Sequence, residues 1–456
     1  MIANTPPMGW NSWDCYGAAV DEATVRKNAD YMAKHLLPYG WEYVVVDIQW
    51  YQPTASSHDY EPFAELTMDA YGRLFPAVNR FPSAANGAGF KPLADYVHSL
   101  GLKFGIHIMR GLPRMAAHRR LPIYGSDATC AQAANPNSIC VWNPDMYGLR
   151  CDQPEARAYY DSIFTLYASW GVDYVKVDDI AREYPRCKRE IEVISEACRA
   201  CGRDMVLSLS PGPAPLDEAE HLKRYATMWR LTDDFWDSWP QLKGIFKCAE
   251  KWCVHSGPGH WPDLDMLPAG AIRQVESPDE WTNFTEAELR TMMTLWCIMP
   301  APLMFGGELT KLDDFTLKLI TNASVLDMLK TTFGGRPLYT RDDEAAWIAP
   351  RRGLTPLTRS RAHLSGGTNS AGTTPSSASR SSGGGPWEAL LAEKRPPTEF
   401  SPSHSATSSI IMKVKPISVH HVTGTCAGED WLSGISSVNK TQSMAPAAKQ
   451  SRKGSA

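Results

Sequence analysis

No apolar run in this 456-residue chain approaches the roughly 20 residues that a membrane-spanning helix needs. Neither a basic stretch nor an apolar one precedes Pro6-Pro7-Met8-Gly9-Trp10, so the expectation is a protein kept in the cytoplasm with no membrane partner. A glycine-rich phosphate loop is missing after the early strand-like runs, which argues against a nucleotide cofactor. The net charge is only -4, which gives no reason to expect nucleic acid as a partner. The 11 cysteines are odd in number and follow no framework spacing. Cys198 and Cys201 form the one close pair, but it lies in a charged, helix-like segment with no matching pair elsewhere, so most cysteines read as small buried hydrophobes. His-rich metal spacing is also absent. Neither a metal nor a cofactor is expected.

Charge divides the chain unevenly. Residues 351–456 hold 13 Lys+Arg against 5 Asp+Glu, a balance of +8, which leaves 33 against 45, or -12, for residues 1–350. That same tail carries 20 Ser and 10 Thr, a composition with too little apolar surface to offset chain entropy. The sequence therefore predicts a domain of residues 1–350 and a Ser/Thr/Arg-rich tail of residues 351–456. The tail is read as disordered or as a frame-shifted remnant.

Within residues 1–350, strand-like and helix-like segments alternate. Short β-branched or aromatic runs fall at Met8 to Trp13, Tyr43 to Asp47, Lys103 to Ile108, Asp173 to Asp178, Met205 to Ser210, Thr227 to Leu231 and near Leu264. Amphipathic segments lie between them, at Asp21 to Leu37, Phe90 to Leu100, Glu155 to Trp170 and Arg189 to Ala200. Such alternation argues an α/β fold with a parallel sheet, and a domain of this length suits a (β/α)8 TIM barrel.

In such a barrel the C-terminal strand ends open on the active-site face. The run Val172 to Ile180 delivers Lys176, Asp178 and Asp179 there. Lys176 lies two residues before Asp178, on the same strand face, and is expected to keep that carboxylate ionised, as a nucleophile requires. A lone Lys-Val-Asp would serve equally well as a cap for the next helix. The other strand ends add to the pattern. Trp13 follows the first, Asp47 and Trp50 the second, His107 and Arg110 the third. Ser208 and Ser210 follow the fifth, Arg230, Asp233 and Asp234 the sixth, Asp263 and Asp265 the seventh. Carboxylates for hydroxyls and indoles for an apolar ring face are what a sugar requires, so the expected partner is a carbohydrate. A sugar-binding module without catalysis would not need Lys-x-Asp and Arg-x-x-x-Asp on separate strand tips. Oligomeric state is left open, a homo-oligomer included.

The ordered set Pro7-Met8-Gly9-Trp10-Asn11-Ser12-Trp13, Val46-Asp47-x-x-Trp50, Lys176-x-Asp178, Arg230-x-x-x-Asp234 and Asp263-x-Asp265-Met266-Leu267 resembles the α-galactosidase (melibiase) family, glycoside hydrolase family 27, over residues 6 to 345. That resemblance implies a barrel followed by an antiparallel β-sandwich and a retaining mechanism with two carboxyl groups roughly 5 Å apart. Asp178 matches the family's nucleophile and Asp234 its general acid/base. Trp13, Asp47, Lys176, Arg230 and Asp265 match sugar-contacting positions. The acid needs a raised pKa, which Asp233, Trp236 and Trp239 are expected to supply.

Three departures from the family pattern bear on the substrate. Where α-galactosidases generally carry a second Asp after the one matching Asp47, this chain has Ile48, as in the β-L-arabinopyranosidase subgroup. Methyl groups there would meet the site of a galactoside's exocyclic hydroxymethyl, which β-L-arabinopyranose lacks. The usual Cys-Glu or Cys-Asp after the fifth strand is Leu209-Ser210-Pro211, which keeps an α-N-acetylgalactosaminidase in play. Nothing after Pro350 looks like the β-sandwich. The reading is an exo-glycosidase preferring β-L-arabinopyranosides, with a plain α-galactosidase as the alternative.

Overall fold

The computed structural model describes residues 2–341, 344–350 and 409–414. Eight parallel strands form its centre: β1 (Met8–Asn11), β2 (Tyr43–Val46) and β3 (Lys103–Met109), then β7 (Tyr174–Asp178), β8 (Val206–Leu209), β9 (Met228–Arg230), β10 (Trp261–Asp263) and β11 (Leu303–Phe305). They hydrogen-bond in the order β10-β9-β8-β7-β3-β2-β1-β11. The curled sheet closes where Leu267, just beyond β10, bridges Phe305 in parallel, its N–H donating to Met304 O at 2.8 Å. This is the (β/α)8 barrel.

Side-chain alternation along each strand builds the two sides of the wall. Tyr43 and Val45 of β2, Tyr174, Val206, Met228, Trp261 and Met304 point inward and pack on one another. Val44, Val46, Val175 and Val177 point outward into the main core under the helices. On β7 the inward positions run Tyr174, Lys176, Asp178, so the pleat carries an apolar residue at the barrel floor and a carboxylate at its mouth.

Helix ends follow local chemistry. Asp21 caps Glu22–His35 by accepting from Thr24 N at 2.8 Å. Pro154 opens Pro154–Trp170, and Gly171 closes it at φ 84°. The helix placed at Arg189 to Ala200 starts earlier, as Tyr184–Ala200, with a proline in its first turn. Trp13 is not the last residue of β1 but the first of a short helix, Trp13–Tyr16. The sequence reading missed β11, whose three residues lie between Pro302 and Gly306-Gly307 and show no period.

It also missed a small antiparallel sheet made of β4 (Leu112–Pro113), β5 (Ala134–Ile139) and β6 (Met146–Leu149), in the order β4-β6-β5. Pro113 and Asn135-Pro136-Asn137 hide its alternation. This sheet lies against Arg110: a Cβ on Gly148 would sit 2.2 Å from Arg110 Nη1. Beyond the barrel, β12 (Arg336–Arg341) and β13 (Glu344–Pro350) pair antiparallel, and β14 (Ser409–Val414) joins β13 with Ala345 opposite Val414 and Pro350 opposite Ser409. Six residues of the expected tail thus extend this sheet; the remainder of residues 351–456 lies outside the described residues. Among the described residues, no helix is long and apolar enough to cross a membrane.

Arg110 ties these parts together. Its guanidinium is 2.8 Å from Asp179 Oδ2 and 3.3 Å from Glu190 Oε2, with Ser138 Oγ at 2.9 Å, and all of these groups are buried. Asp179 follows Asp178 in the left-handed region, at φ 60°, so the ion pair holds an unfavourable backbone at the tip of β7. Removing one partner strands buried charge. Arg110→Leu should destabilise the protein by about 3–5 kcal/mol in urea unfolding at neutral pH. Burial holds the Asp179 carboxyl above its ordinary range, so this deficit should shrink as the pH falls and Asp179 takes up a proton.

Candidate active site

At the mouth of the barrel, Lys176 pairs directly with Asp47 and helps to hold Asp178 ionised only from a distance. Its Nζ lies 2.9 Å from Asp47 Oδ2, which also accepts from Asn11 Nδ2 at 2.8 Å. Burial would push Asp47 up, but Lys176 and then His107 hold it below the usual carboxylate range. The partner of Asp178 is His107. These residues sit on neighbouring strands, and His107 Nε2 is 2.9 Å from Asp178 Oδ2, while Asp179 N donates to Oδ1 at 3.1 Å. Burial works against ionisation of Asp178. The His107 hydrogen bond and attraction to that ring, followed by Lys176, outweigh it and keep the carboxyl well below its ordinary range. His107 is fully buried and its carbonyl accepts from Trp50 Nε1 at 2.7 Å, so Trp50 belongs to the support of the site rather than to its surface.

The opposite wall is organised by Arg230 at the end of β9. Its Nη2 contacts Asp265 Oδ2 and lies 3.2 Å from Asp234 Oδ1. Asp265 adopts φ 92°, an unusual angle for a non-glycine residue, and its carboxylate accepts from Phe235 N and Met266 N, each at 2.7 Å. Burial pushes Asp265 up to about 7 against the pull of Arg230. The surroundings expected to raise Asp234 are not those found. Its side chain is 52% exposed, Asp233 is paired with Arg182 at 2.6 Å, and Trp239 opens the helix Trp239–Trp252 away from the cavity wall. Trp236 does line the cavity and is covered by the Arg273 guanidinium, 5.4 Å from its ring centre.

Between the two walls lies a cavity of about 250 Å³, below the roughly 300–1,000 Å³ of most ligand pockets and suited to one small ring. Trp13, Asp47, Lys176, Asp178, Arg230, Asp234 and Asp265 all line it, so seven of the residues singled out in the sequence are brought together. Ile48, His107 and Ser210 are not on the wall. Ile48 is 1% exposed and packs in the main core, Ser210 is equally buried, and Pro211 takes its place at the surface. Sequence reasoning missed Asp14, Tyr60, Trp142 and Arg182; Met266, quoted there only as part of a motif, also lines the cavity. Tyr60 and Trp142 come from irregular loops; Tyr60 stacks on Trp13 at 6.0 Å and 7°, and Trp142 meets Tyr60 at 5.2 Å. No periodicity announces such residues. Asp14, however, directly follows the Trp10-Asn11-Ser12-Trp13 signature and was available to be read.

A protein-family profile described as Alpha galactosidase A matches residues 5–119 and 141–330. The α-galactosidase of Coffea arabica is 30% identical over 352 residues, covering 76% of this chain and 76% of that protein. That of Cyamopsis tetragonoloba is 29% identical over 352 residues, covering 76% and 70%. Among solved structures, a GH27 β-L-arabinopyranosidase from Geobacillus stearothermophilus is 57% identical with a TM-score of 0.75, covering 77% of this chain and 82% of that one. A putative α-N-acetylgalactosaminidase from Bacillus halodurans is 54% identical with a TM-score of 0.69, covering 77% and 83%.

The low pKa of Asp178 depends on His107, so His107→Leu should raise it, as read by carboxyl ¹³C NMR titration of aspartate-labelled protein. The sign also sets stability. A carboxyl depressed in the folded state adds stability above its unfolded pKa, near 3.9, and loses it as pH falls through the folded value. The variant should therefore lose most relative to wild type at neutral pH. An unmoved Asp178 titration would remove His107 as its anchor.

Proposed function

Because the chain belongs to the α-galactosidase (melibiase) family and is a glycoside hydrolase, we propose that it is a retaining exo-glycosidase that releases terminal sugars of galactose configuration and prefers β-L-arabinopyranosides to α-D-galactosides. The observation that carries the mechanism is the placing of Asp178 and Asp234 on one small cavity with different partners, His107 for the first and Arg230 for the second. Asp178, kept ionised and buried, attacks the anomeric carbon. Asp234 gives a proton to the leaving oxygen and later takes one from water; its half-exposed carboxyl can exchange protons with solvent between the two steps. Asp47 and Lys176 meet sugar hydroxyls, and the Trp13 ring faces the apolar side of the pyranose. Ten described cysteines are free thiols, in keeping with the reducing cytoplasm read from the sequence.

Similarity to the Geobacillus arabinopyranosidase supports the sugar preference. Ile48 supports it as well, though not as the apolar wall expected from the sequence. Its methyl groups lie in the core behind Asp47, and among the described residues no second carboxylate stands beside Asp47. A galactoside's 6-hydroxyl then lacks a partner, at about 1–3 kcal/mol, and an arabinopyranoside has no such group to strand. Ser210 is buried off the wall, which gives little support to an acetamido pocket despite the Bacillus halodurans neighbour.

Two experiments test these points. Asp178→Asn should abolish turnover of every p-nitrophenyl glycoside, whereas Asp234→Asn should spare this good leaving group more than an alkyl one. Near wild-type activity in Asp178→Asn would refute the assignment. For the sugar, wild-type kcat/KM should favour β-L-arabinopyranoside over α-galactoside by roughly 10–200-fold, with α-N-acetylgalactosaminide lower still. Ile48→Asp, with its fold checked by thermal unfolding, should move the ratio toward galactose. A wild type that prefers the galactoside would return the protein to the plain α-galactosidases.

A further inference from the structure

Six carboxyl groups line the cavity, and five of them have a basic partner: Asp47 with Lys176, Asp178 with His107, Asp233 with Arg182, and both Asp234 and Asp265 with Arg230. Asp14 is the exception among the described residues. It is 2% exposed, and its Oδ2 is buried with no hydrogen-bond partner. A buried polar atom left unmatched costs free energy, and in a cavity built for a polyhydroxylated ligand the missing partner is most simply a ligand hydroxyl.

The chain holds Asp14 in this position at some cost. It sits in the short helix that starts at Trp13, and its carbonyl is fixed by Arg273 N at 2.7 Å. Its carboxyl occupies the niche left by Gly306, where a Cβ would lie 1.9 Å from Oδ2. Any side chain at position 306 would evict the carboxyl. We propose that Asp14 is a substrate-recognition residue that hydrogen-bonds one ring hydroxyl of the sugar bound in this cavity. Burial, then Asp265 and Asp234, push its carboxyl well above the ordinary range. A carboxyl oxygen on the cavity wall with no partner among the described residues can take a hydrogen bond from a hydroxyl.

This inference rests on the glycosidase reading, and a cycle between enzyme and substrate tests the two separately. Wild type and Asp14→Leu would be assayed on the preferred p-nitrophenyl glycoside and on its 2-, 3- and 4-deoxy analogues. Asp14→Ala stands in if the leucine variant does not fold. On the parent glycoside the variant should lose roughly 10- to 100-fold in kcat/KM. On one deoxy analogue, and on that one only, the variant and wild type should differ little, because the hydroxyl Asp14 reads is already gone. Asp14→Asn, which keeps a donor and an acceptor, should recover most of the activity on the parent. A merely structural Asp14 would give the same loss on every analogue, and that additive result would overturn the proposal while leaving the glycosidase reading intact. A wild type inactive on all the glycosides would overturn both.

Discussion

Burial alone would protonate Asp178, and the 2.9 Å contact with His107 is what reverses that tendency. Desolvation penalises every carboxylate at the mouth of this barrel, so the placing of a few basic groups decides which acids keep their charge. His107 reaches Asp178 and Lys176 reaches Asp47, and both carboxyls end below their ordinary range. Arg230 is shared between Asp234 and Asp265, and there burial still prevails at Asp265. One cavity therefore holds acids of opposite character, Asp178 and Asp47 held down and Asp265 held up.

The scaffold supplies that arrangement through strand register. His107 stands opposite Lys176, and Met109 opposite Asp178, so the imidazole reaches diagonally across two strands to the carboxylate. The next residue, Asp179, is locked by Arg110, whose guanidinium fits only because position 148 is glycine. The small antiparallel sheet is thus part of the active-site support, although none of its strand residues touches the cavity.

Seven strands of the barrel were legible because β-branched and aromatic runs mark buried strands, and their tips carried nearly all of the charged cavity wall. The errors lie where contact depends on neighbours in space. Lys176 and Asp178 share a strand face at the i, i+2 spacing, which suggests a pair, yet a lysine of that length reaches across the barrel to Asp47 more readily than along its own strand. Ile48 follows Asp47 on the chain, yet past the end of β2 it packs into the core and not on the cavity wall. Asp234 was assigned indoles for neighbours because Trp236 and Trp239 are near in sequence, and a turn followed by a helix carries Trp239 away. Tyr60 and Trp142 arrive from loops whose path no local rule gives.

The charge balance bears on position 48 in particular. Asp47 already takes the one lysine on its wall, along with Asn11, and the backbone N–H of residue 48 donates to Asp47 Oδ1 at 2.9 Å. A second carboxylate at this position would need new donors, because those within reach are committed. With isoleucine in place, the same backbone packs into the core at no polar cost. Isoleucine at position 48 thus spares the protein a buried carboxylate whose nearest donors are already taken by Asp47.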